Sequence, residues 1–497
     1  GSFAFKKSSA TISVANGSAI ETVQVDLLTL GASGIDAFAG VNGPYYIDSN
    51  ADGVIDDSDT PNDTAMGLVL GDVDFALALM KPQKPTTQGA PVDNRSWLSL
   101  RAGVGEAGFV GVDGLTIGVR NFWVNINQSS GTSAGGIPNT SVAHFSTTPL
   151  SIETGGDPIS LNFDGTRGKL LEASGHVTLD IFGFFFLDGA FAFKKSSETI
   201  TVTNGTAFQT VQVDLLTLGA SGVDAFVGVN GPYYVDSNGD GTVDEADTPN
   251  ESALGLQLAD VNLALALMKP KASATGATKD LRSWTSLSAG VGEATFVGVD
   301  GLTISVTDFW VNINQGGGTL ASGAANDTVA HFKTAPLTVN TGDGNRIDLD
   351  FDGNQGSLLQ ASGALTVGIE DFEVAGGFAI ERSINTETRN GRTIKVSKLL
   401  LGAAGVQLFL GAGEEPYDNE DTGVLVEDVK FGLALYKEMD ITNPNTPTPV
   451  GTGSKMALVA SGGAQLLGID GLSLSGTLEL RKNNTGYTKD LGGGYVV

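Results

Sequence analysis

Apolar residues alternate with small or polar residues along most of this chain. The alternation is clear at Phe75, Leu77 and Leu79, and again in the segment LTIGV that begins at Leu115. A period of two residues places alternate side chains on one face of an extended strand, so the pattern predicts β-strands with one buried face. Helical spacing is nearly absent, and glycine, asparagine and aspartate cluster between the apolar runs, where turns need positive φ. We therefore predict an all-β fold.

The chain also repeats itself over a long distance. The segments FAFKKSS, GVNGPYY, ALALMKP and FWVNIN each occur twice, 187 or 188 residues apart. A third and more divergent copy begins at Phe378 in GFAIERS and ends in GIDGLSLSGTLELRK. From this self-similarity we predict three repeat units, which are residues 1–188, residues 189–375 and a truncated third unit, residues 376–497.

A shorter repeat of about forty residues runs inside each unit. Its instances in the first unit are GASGIDAFAGV, VLGDVDFALALMK, FVGVDGLTIGVRNFWVN and LDIFGFFFLDGAFAFKK, in which a glycine and a hydrophobic–acidic pair stand between apolar strands. A β unit of this size cannot bury its apolar face alone, so we expect the units to stack into an elongated β-solenoid or a sheet sandwich. A string of immunoglobulin-like domains is the alternative, although no linker rich in proline or serine separates the units.

The composition and charge of the chain argue against nucleic acids as partners, against membrane insertion and against cysteine chemistry. The chain has 497 residues, of which 41% are hydrophobic, and its 28 Lys and Arg against 56 Asp and Glu give a net charge of −28. A charge of this sign disfavours the phosphate backbone of nucleic acids. No apolar run is long enough for a membrane helix, so we expect no membrane insertion. The absence of cysteine excludes disulfides and thiolate metal sites.

Two acidic strings of twelve residues interrupt the apolar pattern, DSNADGVIDDSD at 48–59 and DSNGDGTVDEAD at 236–247. Oxygen-bearing groups recur at positions 1, 3, 5, 7, 9 and 12 of each string, with glycine at position 6. Six to eight hard oxygen ligands suit Ca²⁺, and the glycine permits a sharp turn. Magnesium fits less well because it needs a rigid octahedron. The candidate calcium ligands are Asp48, Asn50, Asp52, the Val54 carbonyl, Asp56 and Asp59 in the first string, and Asp236, Asn238, Asp240, the Thr242 carbonyl, Asp244 and Asp247 in the second.

These strings resemble the calcium loops of EF-hand and dockerin proteins. They differ in having aspartate rather than glutamate at position 12, and neither flanking segment reads as a strong helix. The corresponding stretch of the third unit, GAGEEPYDNEDTG, lacks the ligand spacing, so we expect it to have lost its ion. The resemblance implies Ca²⁺ as the ligand, without implying a pair of EF-hands.

The tandem repeats, the acidity and the absence of cysteine resemble the very large extracellular repeat proteins of bacteria, of the adhesin or filament type. The resemblance implies a calcium-stabilised, stiff extender at the cell surface or outside the cell. It also implies that copies can associate with one another end to end through their repeats.

The alternative function is a glycan- or protein-binding module. Its candidate surface consists of the loops at 127–151 and 316–338, which we expect to lie at the surface, together with nearby aromatic residues such as Trp97, Trp123, Trp284 and Trp310. Repeated tryptophans at strand positions also fit a core.

Nothing in the sequence predicts catalysis. The chain contains no zinc-protease, serine-hydrolase or phosphate-loop motif. His144 and His331 occupy matching positions in two VAHF segments, which favours a structural role. We therefore expect that the chain is not an enzyme.

Overall fold

The computed structural model describes residues 1–53, 55, 58–86, 91–112, 115–271, 279–299, 302–369, 372–412, 421–443, 446, 448–450, 455–469 and 474–485. Of the candidate calcium ligands, Val54 and Asp56 lie outside these residues, as does most of the third-unit stretch GAGEEPYDNEDTG. The structure is nearly all β, with 70% of residues in strands, and the helical turns in the ranges just given are two 3₁₀ turns, Gly165–Arg167 and Gly353–Gln355. The predicted all-β fold is confirmed. No helix within the described ranges is long and apolar enough to cross a membrane.

The strands follow one another with few other elements between them. The strands of the first part of the chain are β1 (Ser2–Asn16), β2 (Ala19–Val41), β3 (Tyr46–Ile47), β4 (Thr60–Pro61), β5 (Met66–Pro82), β6 (Ser96–Val110), β7 (Leu115–Ser130), β8 (Val142–Ala143), β9 (Leu150–Ile152), β10 (Ile159–Leu161) and β11 (Leu170–Ile181). Those of the middle part are β12 (Phe185–Thr203), β13 (Phe208–Val229), β14 (Tyr234–Val235), β15 (Thr248–Pro249), β16 (Leu254–Pro270), β17 (Ser283–Val297), β18 (Leu302–Gly317), β19 (Val329–Ala330), β20 (Leu337–Gly342), β21 (Asn345–Leu349) and β22 (Ser357–Ile369). Those of the last part are β23 (Phe372–Arg389), β24 (Arg392–Ala412), β25 (Thr422–Asp440), β26 (Thr448–Pro449), β27 (Lys455–Leu467) and β28 (Ser475–Asn483).

A long antiparallel sheet of 20 strands contains all the long strands. Long strands pair with the next long strand along the chain, so that β1, β2, β5, β6, β7, β11 and β12 follow one another in the sheet. The same holds for β16, β17, β18, β22, β23, β24, β25, β27 and β28. The short pairs β3–β4, β9–β10, β14–β15 and β20–β21 form separate two-stranded sheets. The stacking of this sheet into a solenoid or sandwich stays a prediction.

The chain forms two compact units. The first comprises Gly1–Glu198, Gln212–Ser221 and Asn340–Ile347, and the second comprises the remaining segments, which are Thr199–Val211, Gly222–Val339 and Asp348–Val497. These units are defined by proximity in space, whereas the three repeat units are defined by sequence similarity. The boundaries of the three repeat units therefore stay a prediction.

The buried face of strand β5 differs from the one that its large apolar residues predict. Ala76 and Ala78 are 0% exposed and Met80 is 1% exposed, whereas Leu79 on the opposite face is 37% exposed. The short strands β9 and β10 lie against β5, and Ile152 of β9 belongs to the same buried cluster. Small side chains on β5 let this inserted segment approach closely. The strand itself is confirmed, and the predicted face is wrong.

The loops at 127–151 and 316–338 were expected to lie at the surface, and this expectation is wrong for part of each. In the second loop Val329 and Ala330 are 3% and 0% exposed, and in the first loop Asn127 is 1% exposed. Ile137 at the tip is 68% exposed, but Val142 and Ala143 are 0% exposed. They form β8, which pairs with the end of β1. The Asn139 amide holds the tip by donating a hydrogen bond of 3.2 Å to the Ser130 carbonyl oxygen. A segment rich in glycine, serine and asparagine therefore contributes part of the core.

Two of the four glycine–acidic motifs lie inside strands rather than between them. Gly34 in β2 and Asp72 in β5 have positive φ values of 58° and 52°, and the register of the β2–β5 pair shifts beside Gly34. The Gly34 N–H donates to Asp74 Oδ1 at 3.0 Å, and the Asp72 N–H donates to Asp36 Oδ1 at 3.1 Å. The acidic residues thus satisfy backbone groups that a β-bulge leaves without ladder partners.

Candidate metal loops

Each acidic string forms the tip of a small hairpin. Strands β3 and β4 flank the first string and β14 and β15 flank the second, and the two strands of each pair are hydrogen-bonded to each other. An asparagine amide ties the base of each hairpin, since Asn62 Nδ2 donates to the Asn42 carbonyl oxygen at 2.8 Å and Asn250 Nδ2 donates to that of Asn230 at 2.7 Å. Short strands therefore surround the strings, and the prediction that neither flank is a strong helix is confirmed.

The last aspartate of each string closes its loop. Asp59 Oδ1 accepts a hydrogen bond from the Ser49 N–H, and Asp247 Oδ1 accepts one from the Ser237 N–H, both at 2.9 Å. Both aspartates are 6% exposed. The hydrogen bond from the Ser237 backbone is the main cause that holds the pKa of Asp247 below its ordinary value, so this side chain is a carboxylate at neutral pH.

The glycine at position 6 has the conformation that the motif requires. Gly53 and Gly241 have φ values of 85° and 80°, in the region that favours glycine. The N–H of each glycine donates to the first aspartate of its string, at 3.2 Å to Asp48 Oδ2 and at 3.1 Å to Asp236 Oδ2. The two strings therefore turn in the same way.

Four further candidate ligands, one in the first string and three in the second, also accept hydrogen bonds from backbone N–H groups of their own loop. In the first string Asn50 Oδ1 accepts from Asp52 at 2.9 Å. In the second string Asn238 Oδ1 accepts from Asp240, Asp240 Oδ1 accepts from Thr242 and Asp244 Oδ1 accepts from Ala246, each at 2.8 Å. The side-chain oxygens thus turn toward the loop backbone.

These residues have the chemistry of a calcium site but not its assembled geometry. Among the described residues, no group of three or more histidine, aspartate or glutamate side chains is close enough together to hold a metal ion. A carboxylate oxygen that accepts one hydrogen bond keeps a further lone pair. Within the same part of the chain, Asp236, Asp240 and Asp244 make no ion pair with lysine or arginine. The second loop therefore holds negative charge that no cationic side chain balances.

The two matched histidines have structural roles, as predicted. His144 and His331 are 5% and 6% exposed. The Nδ1 atom of His144 accepts a hydrogen bond from the Gly165 N–H at 3.2 Å, and that of His331 accepts one from the Gly353 N–H at 3.1 Å. Each imidazole thus fixes the start of a 3₁₀ turn.

Two of the tryptophans belong to the core. Trp97 and Trp284 are 2% and 1% exposed, and their indole N–H groups donate to the carbonyl oxygens of Ser141 and Thr328 at 3.0 and 3.1 Å. Neither ring is available to stack on a sugar. Trp310, by contrast, is 40% exposed.

His176 forms a cluster that sequence reasoning missed. Its Nε2 atom lies 2.7 Å from Asp188 Oδ1, and its Nδ1 atom lies 3.3 Å from Asp343 Oδ2. Asp188 is 1% exposed and also accepts a hydrogen bond from the Thr178 hydroxyl. His176 and Asp343 are 167 residues apart, so no local pattern could have paired them.

The stability of the chain should depend on the protonation of His176. The hydrogen bond to Asp188 is the main cause that raises the pKa of His176 above 6.5, with Asp343 acting in the same direction and the Arg120 charge against it. Because the pKa of His176 is higher in the folded state, the protonated imidazole stabilises the folded protein. This stabilisation is complete below the unfolded-state pKa of 6.5 and is lost as the pH rises through the folded-state pKa.

This expectation is checked by urea unfolding of the wild type and of His176→Ala. The pH range, about 5.5 to about 9, brackets the ordinary histidine pKa of about 6.5. Alanine is the matched choice because Ala364 occupies the corresponding position of the second repeat. We expect the difference between the two proteins to be largest at the acidic end and to shrink toward the alkaline end. A difference that does not change with pH would contradict the expectation.

The fold therefore defines an all-β protein built on a long antiparallel sheet, with two carboxylate-rich hairpin tips. Compared with known proteins, the chain matches no protein-family model and no curated protein. The resemblance to bacterial surface repeat proteins thus rests on the sequence alone.

Proposed function

We propose that this chain is a structural segment of a large extracellular or surface protein of a bacterium, stiffened by calcium at its two acidic loops. The observation that carries the proposal is the second loop, where Asp236, Asp240 and Asp244 share one hairpin tip without an ion-pairing cation among the described residues. Carboxylates so close together repel one another, and Ca²⁺ removes that repulsion by binding several oxygens at once.

The equivalence of the two loops supports the same proposal. Both close through the same hydrogen bond at position 12 and turn at the same glycine, although Ala51 and Ser58 of the first string are replaced by Gly239 and Ala246 in the second. In this proposal, the carboxylates turn from the loop backbone toward the ion.

The long strands suit a mechanical role. Strand β2 has 23 residues, which corresponds to a length of about 75 Å at ~3.3 Å per residue. Long strands such as β2 and β5, or β23 and β24, are paired along much of their length, and such ladders resist bending and unravelling. End-to-end association of copies, a glycan or surface-protein partner and the location outside the cell stay predictions.

Calorimetric titration with calcium tests the metal part of this proposal. We expect the wild type to bind two ions, Asp52→Ala and Asp240→Ala to bind one each, and the double variant to bind none, because each substitution removes a ligand at position 5 of one loop. Asp63→Ala is the matched control, since Asp63 lies just beyond the first string. Binding of calcium that is unchanged in the double variant would place the ions elsewhere and would refute the assignment.

A further inference from the structure

A cavity on the first compact unit gathers several cations in a chain that is strongly acidic overall. The cavity has a volume of about 250 Å³, and Arg101, Arg167, Lys169 and Lys194 are among its lining residues. The carboxylates Asp164 and Glu172 also line the cavity, so cations outnumber carboxylates there by four to two, whereas the whole chain has 28 Lys and Arg against 56 Asp and Glu. We call it the cationic cavity.

Four lining residues form a row across neighbouring strands of the sheet. Arg101 of β6 lies opposite Asn125 of β7, and Asn125 also lies opposite Glu172 of β11. Glu172 in turn lies opposite Lys194 of β12. Directly opposed residues share one face of a sheet. The row therefore has a positive charge at each end, with the Asn125 amide and the Glu172 carboxylate between them.

The two terminal cations of the row form no ion pair with any described carboxylate. Among the described residues, neither the Arg101 nor the Lys194 side chain forms an ion pair or hydrogen bond. The Arg101 guanidinium stacks on Trp123, 4.8 Å from the ring centroid, which holds it in place. Glu172 accepts a hydrogen bond of 3.5 Å from Asn125 Nδ2 instead of pairing with Lys194. Fixed cations of this kind favour an anionic ligand.

A buried hydroxyl at the same cavity lacks a partner. Ser196 lines the cavity and is 5% exposed, and its Oγ atom has no hydrogen bond within the part of the chain that the structure describes. Buried polar groups are nearly always hydrogen-bonded in folded proteins. Independently of the cations, this atom indicates a group that the chain itself does not supply.

The matching row of the second repeat lacks the cations. Ser288, Asn312, Gln360 and Glu381 are opposed in the same way across β17, β18, β22 and β23. Serine thus stands in place of Arg101 and glutamate in place of Lys194, while the strand pairing is the same. The sheet does not need these cations for its own pairing.

We propose that the cationic cavity binds a single acidic sugar residue of the uronate class. Its volume equals that of about eight water molecules at ~30 Å³ each, which suits one sugar ring better than a small inorganic anion. The Arg101 guanidinium binds the carboxylate, and Lys194, at the other end of the row, donates a hydrogen bond to a ring hydroxyl oxygen. The amides of Asn125 and Asn162 exchange hydrogen bonds with the ring hydroxyls. This ligand is specific to the first repeat and does not depend on the calcium loops.

Calorimetric titration of the full chain in excess calcium tests the proposal with three probes, which are glucuronate, glucose and inorganic phosphate. The test variant is Arg101→Ser with Lys194→Glu, which introduces the residues that the second repeat carries at these positions. Lys81→Ser removes an exposed cation from β5 and is the matched control. Thermal unfolding of each variant verifies that it is folded, and the single variant Lys194→Ser replaces the double variant if the latter does not fold.

We expect saturable binding of glucuronate that weakens with added salt and falls at least tenfold in the double variant, or by a smaller but measurable factor in Lys194→Ser. The Lys81→Ser control should bind like the wild type, and glucose should bind at least tenfold more weakly than glucuronate. Equal binding of glucuronate and glucose, or glucuronate binding that is unchanged by the substitutions, would overturn the proposal. Phosphate that binds as tightly as glucuronate and displaces it would identify a site for small anions and would also overturn the proposal.

Discussion

Removal of calcium should lower the midpoint of thermal unfolding of the wild type by on the order of 10 °C, and should hardly change that of the Asp52→Ala, Asp240→Ala double variant. An ion that binds only the folded state stabilises it by about 2.7 kcal/mol per site when its free concentration is a hundred times Kd, so that two sites contribute on the order of 5 kcal/mol. A change of this size corresponds to about 2–4 °C per kcal/mol in a domain of 150–250 residues. Without calcium, the carboxylates of each tip also repel one another.

Differential scanning calorimetry in excess calcium and in excess chelator measures this effect. Magnesium in place of calcium is the ionic control, because it screens charge without satisfying a loop of six to eight oxygens. The Asp63→Ala variant should behave like the wild type. Superimposable curves of the wild type in calcium and in chelator would leave both strings as acidic turns, and would remove the main argument for a calcium-stabilised extender outside the cell.

Replacement of Trp284 by alanine should lower the free energy of unfolding by about 3–5 kcal/mol, the range for truncation of a large buried aromatic residue. The ring is 1% exposed, and the Arg282 guanidinium lies 5.0 Å from its centroid. The indole N–H also donates to the carbonyl and hydroxyl oxygens of Thr328, both at 3.1 Å. Truncation therefore leaves a cavity and removes the donor that ties the middle of the loop at 316–338 to β17.

Urea unfolding in excess calcium compares this variant with Trp310→Ala. Because Trp310 is 40% exposed, Trp310→Ala should lower the free energy of unfolding by less, at most about 2 kcal/mol. A Trp284→Phe variant keeps most of the ring volume and loses the hydrogen bond, so it should cost about 1–2 kcal/mol. Equal losses in Trp284→Ala and Trp310→Ala would contradict the assignment of Trp284 to the core.

The tips of the acidic loops were the most predictable part of the candidate site. The spacing within one string determines which side chains share a tight turn, and both Gly53 and Gly241 adopt the positive φ that their position predicts. The sequence could not determine where the carboxylates point. In the second loop Asp240 and Asp244 accept hydrogen bonds from the loop backbone, an arrangement that depends on where the folded loop places its N–H donors.

The His176 cluster and the cationic cavity were beyond sequence reasoning for a different reason. His176 meets Asp343 across 167 residues, and Arg101 and Lys194 come to one row only because β6, β7, β11 and β12 are neighbours in the sheet. The residues near a single lysine or histidine in a strand do not indicate which distant side chain it contacts. Strand order and register, which depend on the whole sheet, create these clusters.

The sequence by itself determined the all-β class, the long-range repeats and the turning glycines, because each depends on neighbouring residues or on direct self-comparison. Tertiary structure alone decided which face of a strand is buried. Phe75, Leu77 and Leu79 predict the buried face of β5, yet Ala76 and Ala78 are the fully buried residues. A strand has two faces, and a neighbouring segment can pack most closely against the one with the smaller side chains. The inserted strands β9 and β10 lie against β5, and that choice depends on a segment more than sixty residues further along the chain.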